Sequence, residues 1–149
     1  MTDIYQNLPD PQYQPEFYAD IPVKRLLAWV IDSILIGVLS LIVVLFTGFI
    51  AAFFLPLTIL VISMAYRVVS LANRSATPGM RVLAIELRKN DGSTFDLTTA
   101  TLHTGLYLFF TSIFIGQVVS IVLMLTDARA RGLPDIILGT VALNRAARA

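Results

Sequence analysis

SILIGVLSLIVVLFTGFIAAFFLPLTILVISMAY, residues 33–66, contains no charged side chain. As one straight helix this run would reach about 51 Å at 1.5 Å per residue, against a hydrocarbon core about 30 Å thick. It is too long for one crossing and suits a tight pair of helices. Thr47-Gly48 is the best break, because glycine weakens a helix and accepts turn geometry. The reading therefore places a first helix at 24–46 and a second at 49–71. Pro56 is expected to kink the second.

The composition points the same way. Of 149 residues, 56% are hydrophobic and 14% are charged, whereas soluble domains average roughly 25% charged. A soluble fold of this size would lack the polar surface to cover its core. The fold class expected is an all-α integral membrane protein, with the lipid bilayer as its first partner. The 11 Lys and Arg nearly balance 10 Asp and Glu, and no basic run occurs, so no nucleic-acid partner is expected. With no cysteine and one histidine, disulfides, thiol catalysis and cysteine-based metal centres drop out. Neither a metal nor another cofactor is expected. An enzyme is not expected either, since beyond Asp32 and His103 nothing offers acid, base and nucleophile together.

Outward from the apolar run, residues 1–22 form a polar arm with four prolines, four acidic residues and no Lys or Arg. A signal peptide would start with positive charge and continue into an apolar core, so the arm is expected to be retained and irregular. Its composition suits a disordered tail; alternatively, Tyr5, Tyr13, Phe17 and Tyr18 touch the membrane interface. Residues 72–96 are polar and basic. Within them 82–87 reads as a strand, Asn90-Asp91-Gly92 as a hairpin turn, and Thr94-Phe95 as the start of a return strand, giving a short cytoplasmic β-hairpin. Asp96 or Thr98 can cap the following helix. Residues 97–126 form the third apolar segment, 140–144 could pair with 82–87, and 146–149 are a tail.

Topology poses a conflict. Lys24-Arg25 before the first helix and Arg67, Arg74 and Arg81 around the end of the second lie on one side, which the positive-inside rule makes cytoplasmic, with the N-terminus. If 106–126 crosses once, the arginines near the C-terminus fall outside. If 97–126 enters and returns, bending near Thr111-Ser112 or Gly116, every cation stays inside. Length favours a single pass; charge and strand pairing favour the return, which is the expectation adopted.

Asp32 is the most informative residue. It lies about 10 Å beyond Arg25 at helical rise, inside an apolar helix. An ionisable group at that depth costs a few kcal/mol unless it finds a partner. Arg25, seven residues away on the same helix face, is one candidate partner, and Arg67 is another. One reading makes Asp32 a cation or proton site. The other makes Arg25-Asp32 a clamp between helices. His103 stands alone, too sparse for a metal site, and is read as an interfacial helix residue with proton transfer left open.

These residues form a pattern. Arg25 opens the first membrane helix and Asp32 follows within Trp29-Val30-Ile31-Asp32. Thr77-Pro78-Gly79-Met80-Arg81 precedes a short apolar strand. Later come Asp127-x-Arg129-x-Arg131-Gly132-Leu133-Pro134-Asp135 and Gly139-Thr140-Val141. Over about 17–145 the chain resembles the RDD family of small bacterial membrane proteins, named for one arginine and two aspartates. The resemblance implies that Arg25 and Asp32 are the Arg and the first Asp. The second is Asp135 or Asp127, with Asp135 favoured. Met80 stands where the family usually has Lys, and Pro134 where it has His, which weakens a proton relay at that spot. The resemblance also implies a bacterial inner membrane, with transport of an unknown small ion or solute, or cation/proton exchange, as the activity. So few helices in one chain would need a second copy or another membrane protein to enclose a path.

Overall fold

The computed structural model describes residues 7–145; the notional tail 146–149 and Tyr5 lie outside them. Helix α1 spans Ile21–Phe46 and α2 spans Leu55–Arg74. Both belong to segments long and apolar enough to cross a bilayer. Helix α1 starts earlier than residue 24 because Pro22 sits in its first turn, where a missing N–H costs nothing. Its buried residues, Ile21, Ala28, Asp32, Ile36, Ser40 and Val44, recur every turn or two and form one stripe.

The break falls where glycine predicts it. Gly48 and Phe49 both take positive φ (61° and 69°), and a 3-10 helix at Ile50–Phe54 leads into α2. Pro56 does not kink the second helix. It lies in the first turn of α2 and so marks where the helix begins.

Helix α3 (Pro78–Val82) and strand β1 (Ile85–Lys89) follow. The turn after β1 forms, with Gly92 at φ +80°, but no hairpin does. Strand β1 pairs antiparallel with β2 (Thr140–Asn144), in the register Ile85↔Asn144 to Lys89↔Thr140. The other edge is also occupied, since Leu87 N–H donates to Ser75 O (2.7 Å). Phe95, read as the start of a return strand, instead buries its ring in the core, and its N–H donates to Ser75 Oγ (2.6 Å). Asp96 caps α4 (Leu97–Ser112) by accepting from Thr99 N–H.

Helices α4 and α5 (Phe114–Thr126) meet at a 115° bend at Ile113. The head of α4 is tied to the small sheet through Lys89, which donates to Asp96 (2.7 Å). From the middle of α5, Ser120 Oγ accepts from Leu133 N–H (3.0 Å), at the start of α6 (Leu133–Leu138). Helix α6 packs on α4 and leads directly into β2. The segment thus returns to the end of the molecule where α1 starts and α2 stops.

The N-terminal arm is anchored over its described part. A 3-10 helix forms at Pro15–Phe17, and Leu8, Phe17 and Tyr18 bury against Val141 and Leu143 of β2. Fully burying side chains of this kind contributes roughly 1.5–3 kcal/mol each, and the Tyr18 hydroxyl, donating to Pro9 O (2.7 Å), adds to the anchoring. Residues 7–22 are therefore not a disordered tail, and Phe17 and Tyr18 face protein, while Tyr13 remains exposed.

Candidate functional site

Two buried carboxylates organise the end of the molecule that carries the sheet. Asp32, about three helical turns into α1, is fully buried. Its Oδ1 accepts from the Tyr66 hydroxyl (2.6 Å) and from Gly79 N–H (2.8 Å); its Oδ2 accepts from the Thr77 hydroxyl (2.5 Å). Thr77 also N-caps α3, accepting from Met80 N–H. The carboxylate therefore joins three elements: its own helix, α2 through Tyr66, and the turn before α3. Gly79 makes this approach possible. A Cβ there would lie 2.3 Å from Ala28 O and 2.8 Å from Asp32 Oδ1.

Asp135, in the first turn of α6, is also fully buried. Its Oδ2 accepts from Arg25 Nη1 (2.5 Å) and Gly132 N–H (3.1 Å). Its Oδ1 accepts from the Thr140 hydroxyl (2.9 Å) and faces His103 Nε2 at 2.8 Å. Burial pushes this carboxyl up, but the Arg25 charge and the His103 contact outweigh burial and hold it well below the usual carboxylate range. An ionised carboxylate only accepts, so His103 Nε2 carries the proton. Among the described residues His103 Nδ1 is buried with no hydrogen-bond partner, and the ring packs edge-on to Phe95 with centroids 5.5 Å apart.

Of the residues singled out from sequence, Arg25 and Asp135 come together, and Asp32 forms a separate centre. No salt bridge among the described residues joins Asp32 to Arg25 or to Arg67. The Arg25-Asp32 clamp is thus replaced by two clamps, Arg25–Asp135 and Asp32 with its three donors. Asp127 stands apart. It pairs with Arg131 (2.9 Å) and accepts from the Arg129 and Arg131 N–H groups, ordering the turn after α5. Its hydrogen bonds to Arg131 hold its carboxyl below the usual range against partial burial. Arg67 is buried and lies over the Tyr107 ring, 3.9 Å from its centroid.

Sequence reading missed Tyr66, Thr140 and the role of His103. The imidazole that Pro134 fails to supply is present after all, delivered to Asp135 by α4. Tyr66 had a signal, as the hydroxyl that ends the charge-free run. His103 and Thr140 meet only through tertiary folding.

Fold and site together define a helical membrane-type protein whose two buried aspartate centres tie two long apolar helices to a small sheet. The chain matches the RDD family over residues 21–139 and belongs to it. No curated protein and no solved structure matches it.

Proposed function

We propose that this chain is a component of a membrane transport system for a small cation or solute, and that its proton-coupled step resides at Arg25–Asp135–His103. The observation carrying the proposal is the unpartnered, buried Nδ1 of His103. With Nε2–H committed to Asp135, a second proton can enter the ring only at Nδ1. Adding it places a new charge beside an existing ion pair that joins α1, α4 and α6. That charge would alter how the returning α4–α5 segment sits against α1. Arg25, Asp135 and the return of α4–α5 all fall at the end that the positive-inside rule assigns to the cytoplasm. The apolar faces of α1 and α2 leave room for a second copy, which a complete path through the bilayer requires.

The test is ion-driven proton movement into proteoliposomes carrying a trapped pH indicator, with imposed Na⁺ or K⁺ gradients. His103→Gln keeps an N–H for Asp135 and removes the unpartnered ring nitrogen. It is expected to abolish coupled flux while the protein stays folded. Flux equal to wild type would overturn the proposal.

A structural reading is favoured by one observation, the saturation of Asp32 by three donors. On that reading the two centres only hold the α3–β1–α6–β2 platform on the helix pair, for docking another membrane protein. Wild-type protein would then move no ions, and Asp32→Asn would reduce stability alone.

A further inference from the structure

A groove of about 260 Å³ lies between α1, α2 and α4, lined by Ser33, Ser63, Arg67, Tyr107 and Thr111 with apolar walls such as Ile36 and Ile59. A single water needs only about 10–15 Å³ of such space, so the groove admits a larger group. Arg67 sets its chemistry. This side chain is 6% exposed, yet among the described residues it forms no salt bridge. The nearby carboxylate, Asp32, is occupied by three other donors. What Arg67 has is the face of Tyr107, and its side chain lines the groove. A guanidinium withdrawn from water without an anion costs several kcal/mol, and its planar donors match a phosphate or carboxylate.

Depth and surroundings identify the anion's carrier. Arg67 stands seven residues before the end of α2, about 10 Å at helical rise. Trp29, 45% exposed, lines the same groove, and exposed tryptophan concentrates at headgroup level in membrane proteins. Exposed Leu39 and Leu60 follow the lining residues Ile36 and Ile59 on α1 and α2, and suit an alkyl chain.

We propose that this groove holds the phosphate of an anionic, lipid-class amphiphile, with Arg67 as its charge partner and the Ser33 and Ser63 hydroxyls as further donors. The site is separate from Arg25–Asp135–His103 and does not depend on proton coupling there.

The experiment is native mass spectrometry of the full chain in detergent with phosphatidylglycerol and phosphatidylcholine offered together. Wild type is expected to retain phosphatidylglycerol roughly tenfold better, the worth of one charge-assisted contact. Arg67→Met, which keeps the stem over Tyr107, should bring the two lipids close to parity. Arg74→Gln, at the exposed end of the same helix, should keep the preference. If Arg67→Met does not fold, the Ser33→Ala/Ser63→Ala double variant retains Arg67 and should lower the preference several-fold. Equal retention of both lipids by wild type would overturn the proposal, as would an unchanged preference in the variants. Inorganic phosphate that displaces the lipid at comparable concentration would make the occupant a free anion and overturn the lipid assignment.

Discussion

Arg25 and Asp135 are 110 positions apart in sequence, and the Arg25 guanidinium donates to the Asp135 carboxylate at 2.5 Å. The contact closes the molecule, joining the first turns of α1 to the first turn of α6. Breaking a buried pair from one side leaves the other charge stranded, at a cost of about 3–5 kcal/mol. Asp135→Asn should therefore destabilise the detergent-solubilised protein by about that amount, and Arg25→Gln by a similar one. The double variant should cost clearly less than the sum of the two. Additive losses in thermal or denaturant unfolding would contradict the pairing.

Asp135 also sets an acid limit. Its folded carboxyl lies below the ordinary aspartate value of about 3.9. The folded state thus binds its proton less readily than the unfolded chain. The stabilisation is fully present above pH 4 and is lost as pH falls from there through the folded value. Unfolding midpoints should hold between pH 7 and 5 as far as Asp135 is concerned and drop below 4. Asp135→Asn should remove that part of the acid dependence.

Much of the fold was legible in residues 33–66, because bilayer thickness and the absence of charge leave few ways to place such a run. The Gly48 break and the Asp96 cap were readable for local reasons, since backbone conformation and orphan N–H groups select those residue types. Pro56 was misread because a proline inside an apolar run looks the same whether it kinks a helix or starts one. The hairpin failed because a local turn signal cannot report that β2 arrives to take the strand edge. Asp32 and Arg25 stood out as charges in apolar sequence, but their pairing did not. Both carboxylates had several cations or donors in reach: the α3 turn and α2 supply the donors of Asp32, and the return of α4–α5 brings Asp135 to Arg25 and His103.

Gly79 is where the Asp32 centre is most sensitive to added bulk. A methyl group would press on Ala28 O, a backbone atom, at 2.3 Å, so α3 must move away from α1. Gly79→Ala should cost roughly 1–3 kcal/mol, the usual range for overpacking. It should do so without altering charge, and a stability equal to wild type in detergent would contradict the close approach.

Asp32→Asn tests the same centre electrostatically. The amide replaces one acceptor oxygen with a donor, which then faces Tyr66 O–H and Gly79 N–H or Thr77 O–H. An unmatched buried donor costs about 1–3 kcal/mol. Tyr66→Phe removes a single donor and should cost less. If the two variants reverse in order, the hydroxyl carries more than the carboxylate, and the arrangement described for Asp32 is wrong.

The central claim is that residues 97–126 return, so that Asp135 meets Arg25 and His103 at one end of the helix pair. The chain has no cysteine, and Ala52, Thr94 and Ala128 are exposed. Single variants Ala52→Cys, Thr94→Cys and Ala128→Cys should be tested with an impermeant thiol reagent on intact cells and on opened membranes. The account predicts that positions 94 and 128 label only after opening, and that position 52 labels in intact cells. Labelling of position 128 together with 52, opposite to 94, would place Asp135 across the bilayer from Arg25 and contradict the account.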